Sequence, residues 1–412
     1  MLSSPHCRFC HAPLRATLVD LGTTPLANSY VPPEKLGTKD PVFPLHARVC
    51  SNCRLVQVDD VATPDNIFSH YAYFSSFSQS WVEHAKCFAE MAKDRWKLGS
   101  NSLVVEIASN DGYLLQHFVK MGVPVLGVEP AANVAEVAVK NGVRTEVAFF
   151  GKEAAQRLKA EGYAADLMAA NNVFAHVPDI NDFIGGFAIL LKPDGVISLE
   201  FPHLLRLIAD TQFDTIYHEH FSYLSLYAVE KILAAAGLKV FDVTELPTHG
   251  GSLRVMATHQ ASTAHAAGAG LTKVRGDEAA IGIDTDAYYS NFEPKVRAVR
   301  TGLLEFLRKA KADGKKVAAY GAAAKGNTLL NYCGIDTDLI DYVVDISPYK
   351  QGTYLPGSRL PIYAPSKIAE TKPDYVLILP WNIKDEITAQ MTEVRAQGGR
   401  FVIAIPALTI LP

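Results

Sequence analysis

Short apolar runs separated by longer amphipathic stretches govern the chain from Ser102 onward. Leu103-Val-Val-Glu-Ile107, Val123-Pro-Val-Leu-Gly-Val128, Asp166-Leu-Met-Ala-Ala-Asn171 and Gly195-Val-Ile-Ser-Leu-Glu200 are too short for buried helices, and the runs end in polar residues. They read as strands of a parallel sheet covered on both faces. The helical stretch before the last of them stops at Leu191-Lys-Pro-Asp-Gly195, where Pro and Gly bar continuation. This alternation predicts a doubly wound α/β sheet. A charged helical stretch then leads to a second set of units. Lys316-Val-Ala-Ala-Tyr320 runs into Gly321-Ala-Ala-Ala-Lys-Gly-Asn-Thr328, and Leu339-Ile-Asp-Tyr-Val-Val344 runs into Asp345. Two α/β sheets are therefore expected, joined by the Ala-, Gly- and Thr-rich segment Gln260 to Leu271 as a flexible linker or a poorly packed helix. Ahead of them, Ile67 to Gly99 begins aromatic and Ser-rich through His70-Tyr-Ala-Tyr-Phe-Ser-Ser-Phe-Ser-Gln79 and turns helical from Trp81, a connector able to close over a pocket.

The first sixty residues follow neither pattern and are organised by cysteine. Cys7-x2-Cys10 and Cys50-x2-Cys53 supply four thiolates with the spacing of a tetrahedral zinc site. Four thiolates leave no open coordination position, so the metal is structural, and Leu14 to Val49 folds back between the knuckles as loop and strands. Cys87 and Cys333 have no CxxC partner and read as ordinary buried thiols, which favours a reducing compartment over a disulfide framework. With 412 residues the chain can hold two or three domains. A net charge of −4 from 39 basic and 43 acidic residues gives no reason to expect nucleic acid or an anionic membrane as partner. No apolar run approaches a membrane span and Met1 to Pro5 does not open a signal peptide, so a cytoplasmic protein is expected.

Chemistry concentrates after the strands. Glu106-Ile-Ala-Ser-Asn-Asp-Gly112 follows the first strand, where parallel sheets place ligands, and Glu129 ends the second, where a carboxylate can take two ribose hydroxyls. A dinucleotide turn wants GxGxxG, and here only Gly112 is present, so a cofactor without a pyrophosphate fits better than a nicotinamide. Asn171-Asn-Val-Phe-Ala-His-Val-Pro178 follows the fourth-strand position. This order of features resembles the class I S-adenosylmethionine-dependent methyltransferases. Thr215-Ile-Tyr-His-Glu-His-Phe-Ser-Tyr-Leu-Ser225 gathers an imidazole base, a polarising hydroxyl and an orienting carboxylate within a few residues. Its His-x-His could bind metal, although no third ligand is evident. Gly321-Ala-Ala-Ala-Lys-Gly-Asn327 has its lysine before the second glycine, unlike a P-loop, yet could present backbone N–H groups and the Lys325 charge to a diphosphate. Gly250-Gly-Ser-Leu-Arg254, after His249, reads as a tight turn near the substrate or as a strand connection.

Taken together, the CxxC pairs, the aromatic-serine connector, the Glu-Ile-Ala-Ser-Asn-Asp-Gly turn, Tyr-His-Glu-His-Phe-Ser-Tyr and Gly-Ala-Ala-Ala-Lys-Gly-Asn resemble the nucleotide-sugar C-methyltransferases, which methylate C3 of a nucleotide-linked 4-keto-6-deoxyhexose. The resemblance spans essentially the full chain. It implies a zinc-binding module over 1–68, a Rossmann-like methyltransferase domain over 69–250 and a second Rossmann-like domain binding the nucleotide sugar over 251–412. It implies S-adenosylmethionine held by Glu106, Ala108, Asn110, Gly112, Tyr113, Glu129, Pro130, Asn171, Asn172 and Gln79, and zinc held by Cys7, Cys10, Cys50 and Cys53. His220, with a pKa near neutrality, would be the base that forms an enolate, Tyr217 and Glu219 would orient it or stabilise the enolate oxygen, and Tyr71 and His176 would face the sugar. Ala323, Ala324, Lys325, Asn327, Asp345, Lys350 and Gln351 would bind the rest of the nucleotide sugar. A nicotinamide-dependent sugar-nucleotide oxidoreductase and a non-catalytic zinc-and-Rossmann binding protein are the alternatives. The nucleotide, the C3 substituent, the steric course and the oligomeric state stay open.

Overall fold

The computed structural model describes residues 5–61 and 74–412. Among these residues three sheets form. The first is antiparallel, in the order β1 (Ala16–Thr24), β2 (Phe43–Val49), β3 (Val56–Gln57) and β9 (Ser222–Tyr223). In β2 the buried residues Leu45, Ala47 and Val49 alternate with half-buried His46 and Arg48, the period expected of a strand with one covered face. The last strand comes from the Tyr-His-Glu-His segment, over 160 residues further on, pairing Val56 with Tyr223 and Gln57 with Ser222.

The central sheet has seven strands, among them β4 (Val104–Ile107), β5 (Val125–Val128), β6 (Thr145–Glu146), β7 (Ala165–Asn171), β8 (Leu191–Pro202), β10 (Leu238–Leu246) and β11 (Ser252–His259), in the order β10-β11-β8-β7-β4-β5-β6. From β8 to β6 the neighbours are parallel, and β11 runs antiparallel to both β8 and β10. Two cores cover the two faces, and β4 feeds both: Val105 and Ile107 join Phe174, Phe183 and Phe187, while Val104 joins Phe88 and Phe118. Such two-sided burial is why these strands carry continuous apolar runs. The helix Gln79–Trp96 buries Ala85, Phe88, Ala89 and Ala92 at helical spacing and starts on Ser78, whose Oγ accepts from the Trp81 N–H. Cys87 lies off that stripe and is exposed, whereas Cys333 is buried as expected. The Lys-Pro-Asp-Gly stretch expected as a turn is an irregularity within β8, where the pairing with β7 shifts register. The central sheet runs on past residue 250 through His259, and residues 261–268 form a loop with no helix.

The third sheet, β14 (Ile362–Tyr363), β13 (Val343–Val344), β12 (Val317–Tyr320), β15 (Tyr375–Ile378), β16 (Arg400–Ile403) and β17 (Thr409–Ile410), is parallel except at β17. The helix Phe292–Ala312 buries Val296, Val299, Leu303, Leu307 and Ala310 and lies in one core with Leu18, Leu45 and Val56 of the first sheet, Phe213 and Ile216, and Val343 and Leu377 of the third. The stretch preceding Tyr217 is thus packed where all three units meet. No helix among the described residues is long and apolar enough to cross a membrane.

Candidate active site

The N-terminal cysteines converge as their spacing implies. Their Sγ atoms all lie within 4.8 Å of one another, with Cys7 to Cys53 at 3.6 Å and Cys10 to Cys50 at 3.5 Å. A tetrahedral zinc with Zn–S bonds of ~2.3 Å spaces its sulfurs at ~3.8 Å, so the four thiolates fit the ion. The knuckles are matched: His11 (φ 59°) and Arg54 (φ 65°) adopt left-handed backbone and return their N–H groups to the Cys7 and Cys50 carbonyls at 2.9 and 2.8 Å. Gln57 Nε2 donates to Cys7 Sγ at 3.2 Å.

The turn after β4 solves its missing glycines by conformation. Ala108 (φ 52°), Asn110 (φ 49°) and Gly112 (φ 81°) are all left-handed, so residues two apart take up the backbone that glycine adopts freely. Gly112 resists substitution on a second count, since a Cβ there would lie 2.9 Å from Val143 Cγ2. The turn is tied to Glu129, whose Oε2 accepts the Asn110 N–H at 2.9 Å and Oε1 the Ala131 N–H at 2.8 Å. Burial raises the Glu129 pKa. Asn110 Oδ1 and Asp111 Oδ2 accept the Ser75 and Ser76 N–H groups at 2.9 and 3.1 Å, which seats the start of the connector on the turn. At the end of β7, Asn171 Nδ2 meets the Tyr113 hydroxyl at 3.3 Å, and the Oδ1 atoms of Asn171 and Asn172 are buried without a hydrogen-bond partner among the described residues. A carboxylate, orphaned amide oxygens and a tightly turned backbone fit the ribose, base and amino acid portions of S-adenosylmethionine.

These groups open onto a cavity of about 610 Å³ that also contains the second cluster. Ala108, Asn110, Tyr113, Glu129, Pro130, Asn171 and Asn172 line one part, and His176, Tyr217, His220, His249 and Lys325 line another. Glu106 and Gly112 stand behind the lining, and burial pushes the Glu106 carboxyl well above the carboxylate range. Gln79, exposed at a helix start, does not line the cavity. Tyr71 lies outside the described residues. Trp81, expected only as a helix start, lines the cavity and stacks on His84 and Tyr113 at 4.9 and 6.0 Å. The sequence did not mark the buried Glu200, held by Arg254 at 2.6 Å and His84 at 2.9 Å; three distant charged residues share no local signature.

His220 Nδ1 lies 2.9 Å from the Thr215 carbonyl and Nε2 lies 2.8 Å from the Tyr217 hydroxyl. A carbonyl only accepts, so Nδ1 carries the proton and Nε2 the lone pair. His176 Nδ1 donates likewise to the Glu219 carbonyl at 2.7 Å, and its ring stands edge-on to His220 at 4.6 Å. Burial, reinforced by His176, holds the His220 pKa well below its usual value, which corrects the expectation of near-neutrality. Burial lowers His176 to about 4. Asn172 Nδ2 meets His249 Nε2 at 3.2 Å. Glu219 does not orient His220 with its carboxylate; Asn28 of the zinc module's long loop takes both of its oxygens at 2.8 Å. His218 points the other way, to the Pro44 carbonyl at 3.0 Å, so the His-x-His pair cannot share a metal.

The residues assigned to the nucleotide sugar divide. Lys325 reaches the cavity, and the others line the carboxyl edge of the third sheet without entering it. Asp345 Oδ2 accepts the Ala322 N–H at 2.7 Å and Oδ1 the Ser347 N–H at 2.8 Å. Lys350 Nζ donates to the Ala322 carbonyl at 2.8 Å and Gln351 Nε2 to the Asp345 carbonyl at 2.9 Å. Ala323 and Ala324 open the helix Ala324–Cys333. Asn327 is buried, with Nδ2 donating to the Ala27 carbonyl at 2.6 Å, which ties the third sheet to the zinc module.

Comparison with known proteins matches residues 7–68 to a zinc binding domain, 82–243 to a methyltransferase domain and 247–406 to a C-methyltransferase C-terminal domain. The chain is 38% identical over 400 residues to the C-methyltransferase NovU of Streptomyces niveus, covering 97% of this chain and 95% of that one. A ubiquinone biosynthesis O-methyltransferase of Bartonella bacilliformis is 24% identical over 137 residues, 32% of this chain and 55% of its own. Among solved structures, magnesium protoporphyrin IX methyltransferase of Synechocystis PCC 6803 with bound S-adenosylmethionine aligns at a TM-score of 0.33 and 16% identity, over 44% of this chain and 79% of that one.

Proposed function

The chain belongs to the S-adenosylmethionine-dependent C-methyltransferases, and on that premise we propose that it methylates C3 of a nucleotide-linked 4-keto-6-deoxysugar through a base-generated enolate. The observation that carries this reading is the single cavity uniting the Glu129 and Asn171 side with the His176, Tyr217 and His220 cluster. A carbon beside a ketone is acidic enough for an imidazole to deprotonate when the two are held in place. His220 presents Nε2 as the basic atom, because Nδ1–H is committed to Thr215. The substrate C–H bond breaks toward Nε2, its electron pair becomes the enolate C=C bond, and the carbonyl π pair moves to oxygen. Tyr217, hydrogen-bonded to Nε2 at 2.8 Å, is within reach to turn its hydroxyl toward that oxygen. S-adenosylmethionine, when bound, supplies a sulfonium-activated methyl carbon that accepts a carbon electron pair. Glu129 would hold its ribose, and the Asn171 and Asn172 side-chain oxygens its polar edges. The turn Gly321–Ala324 with Asp345, Lys350 and Gln351 would receive the nucleotide, and the four cysteines a structural zinc.

The test is incubation with S-adenosylmethionine and a panel of dTDP-, GDP- and CDP-linked 4-keto-6-deoxyhexoses, with product mass and the position of the methyl read by spectrometry and NMR. One added methyl on C3 is expected. The 4-ketone acidifies C5 as well, so a methyl on C5 would keep the chemistry and overturn the position. No methyl on any member would overturn the reading.

A further inference from the structure

Lys325 stands in the methyl-transfer cavity beside Tyr217, His220 and His249, whereas the other residues of the second nucleotide-type turn stay outside it. Its place is built. The backbone on either side of it is closely packed, at Gly321, where a Cβ would lie 2.4 Å from Pro380 Cδ, and at Gly326, where one would lie 2.8 Å from Leu379 Cδ1. Lys325 Nζ donates to Asn382 Oδ1 at 2.7 Å and lies 4.9 Å from the centre of the Trp381 ring. Trp381 Nε1 in turn donates to Asp214 Oδ2 at 2.7 Å, and Asp214 is fully buried. Trp381 also packs on the His249 turn, for a Cβ on Gly250 would lie 2.5 Å from Trp381 Cη2. Residues from the central and third sheets therefore converge to aim one ammonium at the wall that carries the proposed base.

From this geometry we propose that Lys325 is a catalytic residue whose ammonium stabilises the enolate oxygen, and that Asp214, Trp381 and Asn382 are positioning residues that hold it there. The assignment rests on the 4-ketosugar reading above. Burial lowers the Lys325 pKa while Asp214 pulls it upward, and the Lys325 charge in turn lowers those of His220 and His249. The ammonium shares the cavity wall with neutral imidazoles, and Asp214, the acid that acts on it, is engaged by Trp381, so an enolate oxygen formed in the cavity would bring an anion to it. Charge that develops there during deprotonation meets a donor already in place, and little water screens it. The same cation disfavours a proton on resting His220 and so keeps the base ready. Proton and electron pairs balance as in the step above, with Lys325 keeping its proton throughout.

The full chain carrying Lys325→Met, Lys325→Arg or Trp381→Phe tests this with a 4-ketosugar the wild type accepts. Uptake of solvent deuterium beside the ketone is measured at saturating sugar without S-adenosylmethionine, together with kcat, KM and nucleoside diphosphate affinity by calorimetry. Lys325→Met is expected to slow deuterium uptake and kcat by about 10²–10³-fold while KM and diphosphate affinity stay within about three-fold. Lys325→Arg should recover part of the loss, and Trp381→Phe, which keeps the ring but drops the N–H to Asp214, should cost about ten-fold in kcat alone. Unchanged deuterium uptake in Lys325→Met, with KM raised about ten-fold or more, would make the lysine a diphosphate anchor and overturn the proposal. If Lys325→Met fails to fold, normal kcat in both Trp381→Phe and Asn382→Ala overturns it equally. A wild type that accepts no 4-ketosugar would overturn the substrate reading and this assignment with it, whereas an active wild type with an indifferent Lys325→Met removes only the lysine's role.

Discussion

At His220 the backbone does the work of choosing a tautomer. The Thr215 carbonyl fixes the proton on Nδ1, and the Tyr217 hydroxyl waits on the other nitrogen. Tyr217→Phe should therefore lower kcat by about 10–10²-fold without altering S-adenosylmethionine affinity measured by calorimetry. Because burial holds the His220 pKa well below its usual value, its imidazole stays unprotonated through mildly acidic pH. The kcat profile should stay flat as pH falls through about 6.5, where an ordinary imidazole would already be losing activity. That His220, Tyr217 and His176 belong together could be read from residue types in one short segment and one loop, and the three line one cavity. Glu219 could not be read correctly, because its partner Asn28 lies 191 residues away and nothing local marks it. The depressed histidine pKa values were equally hidden, since burial belongs to the assembled cavity and not to the motif.

The turn after β4 shows how far an element can depart from its usual sequence while keeping its shape. Ala108 and Asn110 occupy left-handed backbone along with Gly112, which is why a search for glycines finds only one and the fold persists. Gly112→Ala should cost about 2 kcal/mol or more, combining left-handed strain with a clash against Val143, and denaturant melts in the presence and absence of S-adenosylmethionine would measure it. Strands were the most legible elements: the apolar runs at Leu103, Val123, Asp166 and Gly195 all lie in the central sheet. What the runs did not reveal was β11, a strand whose antiparallel place between β8 and β10 is set by sheet order. The pairing of Ser222 and Tyr223 with β3 was hidden for the same reason, being a contact between distant segments.

Across the whole molecule, the three units are not beads on a string. One core contains Leu18, Val56, Ile216, Tyr223, Val296 and Val343, and β9 makes the histidine-bearing segment an edge of the zinc module's sheet. Cys7→Ser should thus lower zinc content and, by loosening β3 against β9, lower methyl transfer more than S-adenosylmethionine binding; metal analysis alongside calorimetry would check both. Acid should act globally as well. His176 has a folded pKa of about 4, below the ~6.5 of an unfolded chain. The unfolded state therefore binds more protons at this site between these limits, so the contribution of His176 to stability is complete above about pH 6.5 and falls toward pH 4, by an order of 2–4 kcal/mol, while Asp214, raised to about 6 by burial, contributes in the opposite direction. The difference between thermal melts of the wild type and His176→Asn across that window should show the histidine's share. The most direct test of the account is carbon-bound deuterium. In heavy water, with a nucleotide-linked 4-keto-6-deoxysugar and no methyl donor, the wild type should place deuterium on the carbon beside the ketone, and His220→Asn, still binding S-adenosylmethionine, should not. Equal exchange in the two proteins would contradict His220 as the base, and exchange in neither would contradict the enolate itself.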